Sequence, residues 1–224
     1  VTSIHDNLAK LQNAIAKACQ SCGRDIRDVT LVGAAKTKPA QSIRDVYACG
    51  VSNIGENYLQ EARSKIRLLA DLPITWHYIG AIQSNKTRQI AELFDWVHTL
   101  ERASIAQRLS HQCPPGKSLN VLLQVNVDGD PAKAGVDVAS VPALLETVQA
   151  LPNLTVRGLM TILSENSDAG ASYQTMAQLF AELGASVCSN WDTLSMGMTA
   201  DMDAAIQSGA THIRIGTALF GARD

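Results

Sequence analysis

The chain has 224 residues, 46% of them hydrophobic and 18% charged, with a formal net charge of −2; this supports a sizeable buried core and excludes disordered and fibrous classes. The absence of a long lysine or arginine run excludes the electrostatic footprint of a nucleic-acid or anionic-membrane binder, and no apolar stretch reaches the roughly 20 residues of a membrane span. A cytoplasmic protein that handles small molecules is expected, and its five irregularly spaced cysteines fit a reducing compartment.

From Ser3 to about Gln20, the residues Ile4, Leu8, Leu11, Ile15 and Ala18 recur at three- and four-residue steps, predicting a helix with one buried face that stops near Gly23. Cys19 and Cys22 near its end have no second pair at zinc-site spacing and read as structural thiols. Apolar strand-like runs then follow at Val29–Ala35, Val51–Gly55, Trp76–Ile82, Trp96–Leu100, Leu119–Val127, Leu154–Ile162, Thr193–Met198 and His212–Leu219. Helix-length segments separate them, at Ala40–Cys49, Tyr58–Ala70, Asn85–Leu93, Arg102–His111, Val138–Ala150, Ala171–Leu183 and Ala200–Ser208. Strand followed by helix, repeated about eight times, predicts an α/β protein: a (β/α)8 TIM-type barrel with an extra N-terminal helix. The alternative is an open doubly wound sheet, but such sheets seldom need so many strands in so short a chain, and no G-x-G-x-x-G follows the first strand. The polar segment Ser164–Gly170 is too short to divide domains, so a single domain over 1–224 is expected.

In such a barrel the chemistry sits where strands end and βα loops begin. Lys36 stands there directly after Leu31–Ala35, as do Glu56 and Asn57, Gln83 and Ser84, Ser195, and Thr217. A lysine beneath an apolar wall is a candidate for imine formation with a carbonyl. It equally reads as a surface lysine opening a loop, and alternation does not say whether Lys36 or Lys38 points inward. The turn Ser195-Met196-Gly197-Met198-Thr199-Ala200-Asp201 leads into a predicted helix, where free backbone N–H groups favour a phosphate; Thr199 as a plain helix cap is the alternative. Arg214-Ile215-Gly216-Thr217 ends the eighth run, with Gly216 permitting close approach and Thr217 offering a hydroxyl. Loops seven and eight are the frequent phosphate-binding pair of this architecture.

The ordered segments AAKTKP, IGENYLQE, WHYIGAIQSNK, GLMTI, LSMGMTADMDAAI and RIGTALFGARD span nearly the whole chain. Together they resemble the pyridoxal phosphate homeostasis proteins, whose barrel is related to the N-terminal domain of alanine racemase. The resemblance implies a fold-type III barrel binding pyridoxal 5′-phosphate (PLP), with Lys36 forming the internal aldimine. It further implies that Ser195, Gly197, Gly216 and Thr217 hold the phosphate, that Arg214 faces the pyridine nitrogen, and that Asn57 and Met160 line the ring pocket. Ala35, where a serine often precedes the lysine, and Leu163, where proline often follows GLM-x-I, depart from the pattern.

A cationic arginine at the pyridine nitrogen opposes its protonation and leaves the ring a weak electron sink. Racemisation would need a second acid/base, which alanine racemase-like enzymes draw from a further C-terminal domain of a partner subunit. The sequence runs to Gly221–Asp224 directly after the eighth run, so no such domain is expected. The expectation is therefore a monomeric, non-enzymatic protein of PLP (vitamin B6) and amino-acid homeostasis, with PLP and apoenzymes that accept it as partners. A PLP-dependent amino-acid racemase is the alternative. Lys38 and Lys133 are candidate secondary amines for cofactor release, with solvated surface lysine as the plain reading. No metal site is expected. His77 and His98 read as satisfied core imidazoles, Asp201 and Asp203 as helix-start carboxylates, and Trp76, Trp96 and Trp191 as packing residues.

Overall fold

A computed structural model describes residues 3–187 and 190–221. Cys188 and the last three residues of the C-terminal motif lie outside the described residues.

The predicted first helix is α1 (Ile4–Ser21). Its start is capped by Ser3, whose hydroxyl accepts from the Asp6 N–H, and its apolar face buries Leu8, Leu11, Ile15 and Ala18. Eight strands follow among the described residues: β1 (Thr30–Ala34), β2 (Asn53–Glu56), β3 (Thr75–Tyr78), β4 (Trp96–Leu100), β5 (Leu119–Gln124), β6 (Leu154–Met160), β7 (Thr193–Ser195) and β8 (His212–Ile215). The intervening helices are α2 (Ala40–Ala48), α3 (Leu59–Leu68), α4 (Thr87–Leu93), α5 (Ala103–Gln112), α6 (Val141–Gln149), α7 (Ala169–Gly184) and α8 (Met202–Gln207), and α9 (Thr217–Phe220) comes last. Each strand pairs in parallel with the next, and β8 pairs with β1, so the sheet closes. That closure removes the open doubly wound alternative. α1 packs across α8 and α9.

Several strands end earlier than their apolar runs. The run His212–Leu219 is strand only to Ile215. Gly216 then turns the chain at φ −104°, ψ −88°, and Leu219 and Phe220 are buried from a short helix. Ile79 and Ile82 after β3, and Met196 after β7, are likewise buried from loops. A βα loop that folds onto the core needs apolar side chains as a strand does, so periodicity alone does not mark where pairing stops.

The lumen is partly polar. Trp96 and His98 on β4 make ring contacts with His212 on β8, at 5.5 and 6.3 Å between centroids. These strands are not neighbours in the sheet, so the contacts cross the barrel interior. His77 joins the cluster, and Met160, Leu122 and Trp96 form a small apolar layer separate from the main core. As expected, His77 and His98 are fully buried and hydrogen-bonded. The expected packing role also holds for the tryptophans: Trp76 and Trp96 are buried, and Trp191 stacks on Phe180. The polar segment singled out at Ser164–Gly170 is a loop only up to Asp168, where α7 is capped, and it is tied to its surroundings, with the Ser164 N–H donating to Asp128 and its hydroxyl to Asp130.

Candidate functional site

The C-terminal ends of β1, β2, β3, β6, β7 and β8 contribute to the wall of a cavity of about 440 Å³. Lys36, Asn57, Arg214, Gly216 and Thr217 lie on its wall, together with Lys38 and Thr199. Five of the eight sequence-predicted site residues are thus brought to one cavity; Met160, Ser195 and Gly197 are not on its wall.

Lys36 begins a turn just beyond β1. Its side chain is exposed, so the apolar burial expected around it is not there. The turn is held from behind. The Ala35 N–H donates to the Gly55 carbonyl on β2, while the Ala35 carbonyl accepts from Lys38 N–H and from the buried Lys65 Nζ at 2.9 Å. Lys65 Nζ also lies 2.7 Å from Glu56 Oε1, and Glu61 Oε2 accepts from the Thr37 N–H at 3.1 Å. Thr37 itself adopts φ +64°, in the sparsely populated left-handed region, as held residues at functional sites do. Burial pushes the Glu56 carboxyl up, the Lys65 ammonium opposes that shift, and Glu56 Oε2 has no hydrogen-bond partner. Sequence reading singled out Glu56 but missed Lys65 and Glu61. The signal was available: Lys65 falls in register with Leu59 and Ala62 on the buried face of α3, where a charged side chain needs a buried partner.

Arg214, the third residue of β8, is 5% exposed and forms the cavity floor. Its Nη1 donates to Ser195 Oγ at 2.7 Å and its Nη2 to the Thr161 carbonyl at 2.8 Å. Among the described residues no carboxylate forms an ion pair with it. Burial lowers the guanidinium to about 10, and Tyr173 and Asp201 oppose that shift. A buried cation without a contacting anion is costly, and a ligand that brings negative charge or a lone pair to it relieves that cost.

The turn after β7 supplies the opposite wall. Asp201 orients it, accepting from the Met198 N–H at 2.6 Å and from the Tyr173 hydroxyl at 2.8 Å. Because α8 begins at Met202 with Asp201 at its cap position, Thr199 is not the helix cap, and it lines the cavity instead. Gly197 lies behind this wall at φ +98°, where an added Cβ would come within 2.6 Å of Ala205 Cβ. Gly216 presents bare backbone to the cavity, and a Cβ there would crowd the Ala34 carbonyl oxygen at 3.3 Å.

Ser195 is fully buried beneath the cavity, its hydroxyl between Arg214 and His98. Met160 is also fully buried, in the lumen against Trp96 and Leu122. Asn57 lines the cavity and donates to the Ile79 carbonyl at 3.4 Å. Lys133 lies in the β5–α6 loop, its N–H donating to the Asp130 carbonyl, away from the cavity wall that holds Lys36 and Lys38. Cys19 and Cys22 are free thiols. Among the described residues no group of His, Cys, Asp or Glu could hold a metal ion, and no helix is long and apolar enough to cross a membrane.

The donor set suits the cofactor that the resemblance implies: an amine for an aldehyde, a guanidinium without a contacting carboxylate for a ring nitrogen, and hydroxyls with bare backbone for a phosphate. The comparisons agree. The family described as "Alanine racemase, N-terminal domain" matches residues 3–224. A pyridoxal phosphate homeostasis protein of Pseudomonas aeruginosa is 52% identical over 225 aligned positions, covering 100% of this chain and 97% of that protein. The structure of PipY from Synechococcus elongatus, solved with PLP bound, is 36% identical at a TM-score of 0.85 and covers 98% of this chain and 100% of that one. An alanine racemase of Clostridium difficile shares the fold at 14% identity, with a TM-score of 0.74 over 97% of this chain and 57% of its own.

Proposed function

Since the chain belongs to the pyridoxal phosphate homeostasis proteins, within the family of the alanine racemase N-terminal domain, we propose that it binds PLP as a Schiff base on Lys36 and serves intracellular PLP and amino-acid homeostasis without catalytic turnover. The observation that carries this reading is the pairing, on one cavity, of an accessible lysine with a buried guanidinium that lacks a contacting anion. Bound there, the cofactor supplies an aldehyde that an amine captures and a ring able to accept electrons. The protein's own groups determine how far that chemistry goes. Thr199 and Thr217 offer hydroxyls to the phosphate, with the bare backbone of Gly216 beside them and Gly197 shaping the turn. Arg214 places a positive charge at the ring nitrogen and opposes its protonation, which weakens the electron sink and favours holding over transformation. Lys38 shares the cavity and is the better placed of the two lysines for passing the aldehyde to an acceptor apoenzyme; Lys133 is not on the wall.

The test is direct. Protein incubated with PLP is expected to absorb near roughly 420 nm, and borohydride is expected to leave a pyridoxyl adduct on the peptide containing Lys36, with Lys36→Ala losing both signals. A protein that takes up no aldehyde, or carries the adduct elsewhere, overturns the reading. Robust racemase turnover on the same sample would make it an enzyme instead.

A further inference from the structure

A chain of hydrogen bonds runs through the lumen from the cavity floor to the opposite mouth of the barrel. Arg214 Nη1 donates to Ser195 Oγ at 2.7 Å; Ser195 Oγ is 2.9 Å from His98 Nδ1. His98 Nε2 is 2.9 Å from His77 Nδ1, and His77 Nε2 is 3.0 Å from Asn53 Oδ1, at the first residue of β2. Five strands contribute one residue each, and Arg214, Ser195, His98 and His77 are all buried.

Donor and acceptor chemistry gives this chain one direction. A guanidinium only donates, so Ser195 Oγ accepts from it, and the serine's own proton has His98 Nδ1 as its acceptor. His98 is then protonated on Nε2 and donates to His77 Nδ1; His77 is protonated on Nε2 and donates to Asn53 Oδ1. Every donor meets an acceptor. Reversing the two imidazoles, or charging His98, would leave the Ser195 proton without an acceptor in the chain, and charging His77 would set its Nδ1–H against the His98 Nε2–H. Burial also pushes both imidazoles well below the ordinary histidine range, consistent with neutral rings.

We infer that Ser195 and His98 are positioning residues for Arg214, orienting its guanidinium toward the ring-nitrogen end of the cofactor cavity through a one-way hydrogen-bond chain anchored on Asn53. The single proton of Ser195 is committed to His98, so its hydroxyl supports the arginine and is not a donor to the phosphate. What Arg214 faces rests on the PLP reading above; the direction of the chain does not. The other ionisable groups around Arg214 are His212 from β8, Tyr173 from α7 and Asp201 ahead of α8. Asp201 is the anion among them, already engaged by the Met198 N–H and the Tyr173 hydroxyl.

Three variants separate positioning from mere packing. Ser195→Ala and His98→Leu break the chain beside Arg214; His98→Asn keeps an acceptor where Nδ1 was. In cofactor-free wild-type protein, nitrogen NMR is expected to show Nε2–H tautomers for both His77 and His98 and resolved, slowly rotating Nη–H signals for Arg214. Those arginine signals are expected to collapse in S195A and H98L and to persist in H98N. After loading with PLP, the visible band of S195A and H98L is expected to titrate with a midpoint at least about one pH unit above that of wild type, as the ring nitrogen becomes easier to protonate, while H98N follows the wild type. A His98 protonated on Nδ1 in the wild type overturns the inference even if no variant folds. So do variants that fold yet keep the wild-type arginine signals and spectral profile. Failure of the wild type to take up PLP, with the arginine signals behaving as stated, would instead strike the cofactor reading and leave the chain standing.

Discussion

Lys36 owes its position to charges that do not line the cavity. Lys65 reaches from α3 to the Ala35 carbonyl and to Glu56, and Glu61 holds the Thr37 N–H, so the turn carrying Lys36 is fastened from beneath. Removing one partner of a buried ion pair leaves the other uncompensated. Lys65→Ala is therefore expected to cost about 3–5 kcal/mol, read by urea denaturation, and to slow PLP uptake as the turn loosens. Replacing both partners, with Lys65→Met and Glu56→Leu, is expected to recover most of the stability but not the uptake, because the Ala35 carbonyl still loses its ammonium. A single variant costing less than about 1 kcal/mol, below the range for a broken buried pair, would show that this clamp is dispensable. Lys36 was legible in the sequence as a polar residue at the end of an apolar run. For Lys65 the register with Leu59 and Ala62 marks a buried charge, but not its partner, because Glu56 lies nine positions away on another element.

The turn between β7 and α8 shows what one element junction contributes. Gly197 combines a positive φ with a Cβ direction that would strike Ala205 on α8, and the next residues, Met198 to Ala200, form the cavity wall. Gly197→Ala is expected to cost about 1–3 kcal/mol and to weaken PLP binding by displacing that wall, measured by thermal denaturation and a cofactor titration. Unchanged affinity would mean that the turn's shape does not matter to the ligand. The strand series was readable from apolar runs, since parallel strands covered on both faces are nearly continuous in Val, Ile and Leu. Strand ends were not, because Ile79, Ile82, Met196 and Leu219 remain buried after pairing has ceased.

Across the whole molecule, the buried His77 and His98 and the partly buried His212 make stability depend on acid. Burial lowers His77 and His98 well below 6.5 and His212 to about 4, so in the folded state they remain neutral where an unfolded chain takes up protons. The unfolded state binds more protons as pH falls from about 6.5 toward 4, and the native state is destabilised by up to about 1.4 kcal/mol per pH unit for each histidine. Denaturation midpoints are therefore expected to drop steeply between pH 6.5 and 4.5 and to stay flat, as far as these residues are concerned, above pH 7.5. His212→Gln is expected to make the acid slope shallower. A midpoint unaffected across that window would show that the lumen admits protons and water. The same closure that encloses these rings brings β8 against β1 and the loops after β7 and β8 together at one cavity.

The amino-acid sequence by itself determined the barrel class, the N-terminal helix, the lysine at the end of the first strand and the two glycine-bearing turns, because these follow from periodicity and local backbone demands. Only the tertiary structure decided which of those residues share a cavity. It set Thr199 on the cavity wall and Ser195 beneath it, left Lys36 exposed, and linked Arg214 to Asn53 through two imidazoles. Such relations depend on closing the sheet: they join residues from different strands across a lumen, at distances that no spacing along the chain encodes.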